Sequence, residues 1–493
     1  MHQEPTLIKA RELFDHLIHN LFETAQREAS LYDVEKLIWR SLLELGRLLL
    51  QFFIQSQGTG DLGPVLDSKG RTLNRLKTLY FRRYVTIFGE IQIPRTVYGT
   101  RENQKHEVVP LDARLGLPDS DFSSMLQDWA QGFCVHGSYQ EASKILLKIL
   151  GFTPSVRSLE HMACQMADTV DSFWETLEAP PAPEEGNIVV ITADGKGVPM
   201  WKEADAGKEK EGHRRGKGEK AGSKKQACVG VFYTIDAFPR TAEDVVQECL
   251  RHQAREDRPS PCHKRVRAEL SHQVDGQEVN GKDAIFAWFQ DECKQRNADG
   301  SKPVVCLMDG DLALWKKLQE YMPGIIGILD LFHVLERLWT ASYCFHREGS
   351  QAAQDFVTER LRSILNGQVG RVLGGLKQMA TKHELRGTKL KQLQAIITYL
   401  DNHREWMRYD YYLALGYPIG SGVVEGACRH FVKDRMELSG MRWKPKGAQA
   451  ILDLRATYIN DDWQTFQRYR IKTNEQKLYP YRQQINDQWP QAA

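Results

Sequence analysis

Residues 303–339 read "PVVCLMDGDLALWKKLQEYMPGIIGILDLFHVLERLW". An apolar run, PVVCLM, stops at Asp309; a helix-like segment, LALWKKLQEYM, follows and ends at Pro323; a second run, GIIGIL, stops at Asp330. Short apolar runs separated by helical periods indicate strands buried on both faces of an α/β sheet covered by helices. Upstream, IVVITA (188–193) and QACVGVFYTID (226–236) extend the strand pattern, and KDAIFAWFQDECKQR adds a helix.

Away from this sheet the spelling changes. From Leu7 to Phe53 apolar residues recur at helical spacing, which predicts two or three amphipathic helices packed on one another or on a second copy. Between Tyr80 and Tyr98 apolar and polar residues alternate around Gly89, the mark of a β-hairpin, and Pro94 places its second strand at an edge. In GSYQEASKILLKILGFTPSVRSLEHMA (137–163), Ser138 caps one helix, Gly151 stops it, and Thr153 with Pro154 starts another. Such a pair presents a helix to a DNA groove in some proteins and is an ordinary αα-hairpin in others. The Pro-rich APPAPEEGN (179–187) marks a boundary. The interval 202–225 carries nine Lys or Arg against five Asp or Glu with no apolar period, and reads as a mobile loop, solvated or touching a phosphate backbone. From about 350 to 407 the chain is helical again. The expected division is 1–105 helices and hairpin, 106–180 helix-turn-helix-like region, 181–345 sheet, 346–414 helical block, 415–445 helix with Glu425, and 446–493 helical tail.

With 493 residues, several domains are expected at about 150 residues each. A formal charge of +2 excludes a generally polycationic protein and leaves room for local basic faces. Nine cysteines without a C-x-x-C pair favour reduced thiols over a disulfide framework or a cysteine zinc site. The most apolar stretch, LLELGRLLLQFFI (42–54), is too short for a membrane span and contains Glu44 and Arg47. A cytoplasmic protein with no membrane partner is expected.

Three aspartates, Asp194, Asp309 and Asp330, follow apolar runs, and the carboxyl ends of strands are where ligands gather in open α/β sheets. Each alone fits an ordinary helix cap. Glu425, in IGSGVVEGACRHFVKDRMELSGMRW (419–443), has no neighbouring group to pair with, and its small neighbours would let its helix approach the sheet closely. A carboxylate needs a solvent face or a partner, and a metal ion is one such partner. Hard divalent cations take carboxylate oxygens and keep positions open for water and phosphate, and a pair of them promotes phosphodiester displacement.

The segments ITADGKG, LMDGDLALWKKLQEYMP, ILDLFHVLERLW and GSGVVEGACRHFVKDRMELSGMRW resemble the successive motifs of DDE transposases of bacterial insertion sequences, specifically the ISKra family, related to the mutator-like transposases. The resemblance implies a ribonuclease H-like core interrupted by an all-helical insertion before a catalytic glutamate. It implies Asp194, Asp309 and Glu425 as catalytic residues holding two Mg2+ ions, with Mn2+ as a substitute. Asp330 and His333 match the accessory C/D-x-x-H motif, and spacing alone leaves Asp330 open as the second ligand in place of Asp309. His333 reads either as a core histidine or as a group that orients phosphate or protonates a leaving group. Arg429, Lys433, Arg435, Arg442 and Trp443 could grip phosphates or stack on a displaced base. The partners implied are element ends with inverted repeats and target DNA, handled by a homo-oligomer in the bacterial nucleoid. Two alternatives stand beside this: a nuclease on the same core that cuts without joining, and a non-catalytic DNA-binding regulator.

Overall fold

Apolar runs too short for helices find their hydrogen bonds in a neighbouring strand, and four of them here join a more polar edge strand in one mixed sheet. In the computed structural model, residues 5–66, 72–99, 107–201, 224–250, 258–274, 277–420 and 422–489 are described. Most of the charged interval, 202–223, lies outside the described residues. The chain forms two units, Met1–Phe173 with Asp462–Ala493, and Trp174–Asp461. The expected division at 105/106 therefore falls inside one unit, because helix Ser124–Cys134 shares a core with the hairpin residues Val85 and Ile87. The expected tail 446–493 is split between the two units.

In the first unit, Pro5–Ala25 and Leu31–Ser56 are helices. The hairpin pairs Tyr80–Thr86 with Gly89–Arg95, closing Thr86 on Gly89, whose φ of +115° requires glycine. Asp112 is buried between Arg82, 2.9 Å away, and Arg95, which anchors the helix Pro110–Leu115 to both hairpin strands. Helices Tyr139–Leu150 and Val156–Ala167 follow the expected pattern, with a Ser138–Glu141 capping box and Gly151 at φ +80°. Ser155, rather than Thr153, caps the second helix. Their inward residues Ala142, Leu146, Leu150, Leu159 and Met162 belong to one apolar cluster, the arrangement of an αα-hairpin in a core.

The second unit contains strands β1 (Ile188–Pro199), β2 (Lys224–Ile235), β3 (Cys262–Leu270), β4 (Val304–Met308) and β5 (Ile326–Leu329). Their order in the sheet is β5-β4-β1-β2-β3; β1, β2 and β3 run antiparallel, while β4 and β5 are parallel to β1. Residues 188–193 of β1 are fully buried, which explains their lack of alternation. The open edge at β3 is covered by the helix Pro445–Ile459 and the residue after it. Gln449 accepts from Leu270 N–H and donates to Ala268 C=O, and Asn460 does the same for Val266. These amides take the ladder groups that a further strand would otherwise recruit.

Beyond β5 and the helix Leu331–Ser342, the chain is helical at Gln351–Leu365, Val369–Lys382 and Gly387–Asn402. This block closes over the β4–β5 side of the sheet. Trp406 stacks on Trp315 with ring centroids 3.9 Å apart, and the Tyr409 and Tyr412 hydroxyls donate to the Leu329 and Gly327 carbonyls of β5. No helix among the described residues is long and apolar enough to cross a membrane.

Candidate active site

The parallel ladders set the site. Ala193 of β1 pairs with Met308 of β4, and Met308 with Leu329 of β5. The next residues are Asp194, Asp309 and Asp330, so three carboxylates occupy one register position across three adjacent strands. Strand spacing puts neighbouring members of this row about 5 Å apart at the backbone. Two of the three follow a strand end, as expected. Asp194 does not: β1 continues through it to Pro199, because β2 sustains an antiparallel ladder there, with Asp194 opposite Val229.

Local chemistry fixes each acid. Asp309 Oδ1 accepts the Asp311 N–H at 2.9 Å, and the Asp309 carbonyl accepts the Trp315 indole at 2.7 Å. Gly310 must be glycine, since a Cβ there would lie 2.2 Å from the Tyr399 ring. Asp311 caps the helix Leu312–Tyr321 through Ala313 N–H and binds Lys282 Nζ at 2.6 Å. Asp330, fully buried, caps Leu331–Ser342 through Phe332 N–H at 2.9 Å, and its other oxygen meets His333 Nδ1 at 3.1 Å.

Glu425 lies in the first turn of a helix that begins at Gly422 and passes at Cys428–Lys433 into a π turn. Two contacts bring the preceding loop to the acid row. Leu331 N–H donates to the Ile419 carbonyl, and Gly420 lies where a Cβ would be 2.8 Å from the Phe332 ring. The π turn widens the helix and leaves carbonyls outside the regular i→i+4 pattern; Arg455 Nε takes the one at Phe431. The helix that carries Glu425 runs close against β1 and β2, as its small residues allow. A Cβ at Gly422 or Gly426 would meet nothing within 4 Å, so the space flanking Glu425 is open.

Glu425 is exposed, and its candidate partners are acids and one imidazole. Ligand atoms of Asp330, His333 and Glu425 lie within 4.8 Å of one another. Burial raises the Glu425 pKa; the Asp330, Glu336 and Asp194 charges add to the rise and His333 opposes it. Burial likewise raises Asp309, with the Asp194 and Asp311 charges adding, against the Asp311 N–H. The Asp330 hydrogen bond is the main cause that holds His333 up at about 9, so its imidazolium sits among carboxylates. The Cys428 thiol is buried, and burial raises its pKa, with the nearby Asp194 charge adding to the rise. On the row, a cavity of about 250 Å³ is lined by Asp194, Asp309, Asp311, Lys282, Gln226 and Ser271 among others. Carboxylate oxygens gathered at one end of three strands and one helix are the donor set of a hard divalent cation, so the residues fit such an ion.

The five residues taken from sequence as DNA contacts separate into two groups. Arg429, Lys433 and Arg442 are exposed. Arg435 is fully buried and Trp443 nearly so, with the guanidinium 4.8 Å from the indole ring. Trp443 also binds the end of β1, its N–H donating to Pro199 C=O and its carbonyl accepting from Trp201 N–H. This pair is therefore part of the core that ties the Glu425 helix to β1, which corrects the expectation that they face a nucleic acid. Sequence reasoning missed Lys282, Asp311 and Cys428. Asp311 had a signal in the D-G-D spelling; Lys282 and Cys428 had none, because their partners are distant in sequence. No family model and no curated protein matches the chain.

Proposed function

We propose that the protein is a DDE transposase: a metal-dependent enzyme that cuts DNA at the ends of its element and joins the 3′ ends to a target. The observation that carries this reading is the row Asp194–Asp309–Asp330 at one register of the sheet, with Glu425 brought to it from a later helix. The strand order, with three antiparallel strands followed by two parallel ones, and the helical block before Glu425 support a ribonuclease H-like core with an insertion. In this reading Asp194, Asp309 and Glu425 would hold two Mg2+ ions, which would supply activation of the attacking oxygen and stabilisation of the departing one. Asp330 fixes His333 through Nδ1 and keeps it charged, leaving Nε2–H as a donor for a phosphate oxygen. Arg429, Lys433 and Arg442 offer exposed cations to the backbone of the DNA.

The nearness of Asp330, His333 and Glu425 favours a second assignment, with Asp330 in place of Asp309 as the shared ligand. Isothermal titration with Mn2+ separates the two: binding abolished in Asp309→Asn and retained in Asp330→Asn supports the first, and the reverse supports the second. The enzymatic reading itself is tested by incubating the full chain with labelled DNA that carries the sequence flanking its gene, in Mg2+. Cleavage by the wild type that Asp194→Asn and Glu425→Gln each reduce by several orders of magnitude is expected. Specific binding without cleavage would instead identify a regulator.

A further inference from the structure

The cavity on the acid row carries a lysine that the metal chemistry does not use. Among the described residues, Asp330, His333 and Glu425 do not line this cavity; its wall joins Asp194 and Asp309 to Lys282, Asp311, Gln226 and Ser271, and Lys282 is its one cation. The place of Lys282 is set by the residue before it. Gly281 opens the helix Gly281–Arg296; a Cβ there would lie 2.2 Å from the Glu269 carbonyl oxygen, and its N–H donates to Ser271 Oγ at 3.1 Å. The end of β3 and the start of this helix are thus pressed together, and Lys282 reaches from their junction to Asp311, Nζ to Oδ2 2.6 Å. Gly195 leaves room for the Gln226 amide beside Asp194, since a Cβ at that position would lie 3.2 Å from Gln226 Oε1.

The two members of the Lys282–Asp311 pair are not equally fixed. Asp311 is pinned, because its N–H donates to Asp309 Oδ1 and its own Oδ1 accepts the Ala313 N–H, both at 2.9 Å. Lys282 ends in an ammonium with three donors on a flexible four-carbon stem, and Asp311 is its one ion-pair partner among the described residues. With side chains 23% and 40% exposed, the pair is partly solvated and contributes little to stability, so the ammonium exchanges partners at low cost. The cavity of about 250 Å³ has room for roughly eight waters at about 30 Å³ each. A cation on this wall repels a further metal ion and attracts an anion, and beside acids that suit divalent cations the matching anion is a phosphate.

We propose that Lys282 binds a phosphate of the DNA strand processed at the acid row, with Asp311 as its resting counter-ion. When the strand enters, the ammonium leaves Asp311 for a non-bridging oxygen of the phosphodiester next to the one at the acid row. Gln226 and Ser271 offer an amide N–H and a hydroxyl to the same nucleotide. Such a contact fixes the position of the strand without reading a base. The inference rests on the reading of the protein as an enzyme that acts on DNA, and it holds equally for cutting and for joining.

The test is fluorescence anisotropy of a short labelled duplex with the full chain in Ca2+, a hard cation that takes the same oxygen donors. Lys282→Gln should weaken binding roughly tenfold at about 0.1 M salt and lower the salt slope by about one, equally for different sequences, and Lys282→Arg should restore most of the loss. Asp311→Asn, which releases Lys282, should tighten binding several-fold, and that gain should vanish when it is combined with Lys282→Gln. An ion pair that only supports the fold predicts the reverse, with both single substitutions weakening binding alike. Mn2+ titrated calorimetrically into the Lys282→Gln chain should bind no more weakly than to wild type; weaker binding would make Lys282 a support of the acids and overturn the proposal. Unchanged DNA affinity in Lys282→Gln, a loss in Asp311→Asn, or a gain from Asp311→Asn that survives without Lys282 overturns it as well. Opposite signs for the two substitutions in a chain that joins no DNA ends would uphold the role of Lys282 and remove the transposase reading, whereas joining that is indifferent to Lys282 would do the converse.

Discussion

Asp309→Asn should make the metal-free protein more stable. Asp194 and Asp309 follow paired residues on adjacent strands. At about 5 Å their repulsion is about 3 kcal/mol at an effective dielectric of 20 and under about 1 kcal/mol in bulk water. Asp309 is part-buried, so about 1–2 kcal/mol is the expected penalty. The sign follows from its pKa, raised above the ordinary 3.8 mainly by burial. The folded state holds the proton more tightly than the unfolded chain, so stability falls as pH rises above the unfolded value, and the penalty is complete above the folded one. Asparagine keeps the acceptor for Asp311 N–H and removes the charge. In EDTA at neutral pH the midpoint should rise by about 2–6 °C, taking a few degrees per kcal/mol for a unit of this size. Mg2+ or Mn2+ should then stabilise the wild type and leave the variant nearly unmoved. Asp311→Asn is the contrast: it loses the Lys282 ion pair and should not gain stability. Differential scanning calorimetry with and without divalent ions measures all three. An Asp309→Asn protein that melts lower than wild type in EDTA, or equal metal shifts in both, would refute the reasoning.

Three further outcomes are expected. His333, held at about 9 by Asp330, contributes stability that is full below its ordinary 6.5 and is lost as pH rises through 9; with partial screening this is about 1–3 kcal/mol, and urea titrations from pH 6 to 10 should show a slope that His333→Gln flattens. Gly310→Ala forces a methyl into the Tyr399 ring and should cost about 1–3 kcal/mol by chemical denaturation, with a loss of activity because Asp309 is the preceding residue. Arg429→Ala and Arg442→Ala should leave stability within about 0.5 kcal/mol and each lower the salt slope of DNA binding by about one, whereas Arg435→Ala should destabilise the fold by more than about 2 kcal/mol.

Much of the sheet is legible in the sequence because β4, β5, the first half of β1 and most of β2 are largely apolar runs, the pattern of strands buried on both faces. β3 escapes the same reading. It lies at an edge, only alternate residues from Val266 to Leu270 are buried, and Lys264, Arg265, Arg267 and Glu269 dilute its apolar content. The row of aspartates is visible as three run-ending acids, but their common register depends on strand pairings, one of which joins β1 to β4 across 115 residues, Ala193 to Met308. The same limit applies to Trp443: as a spelling, R-W after a helix suits a nucleic-acid contact, and only the bridge to β1 places it inside. Glu425 stands out in sequence because it lacks a local partner; that its helix lies against β1 and β2 while Gly422 and Gly426 face open space is a property of the assembled chain alone.

The most direct test of the account is strand transfer by the full chain, using a pre-cut DNA end with a free 3′-hydroxyl, a target duplex and Mg2+, with Glu425→Gln and Asp194→Asn alongside. The account predicts joined product from the wild type and none from either variant. Cutting of the target without joining, or joining that survives both substitutions, would contradict it.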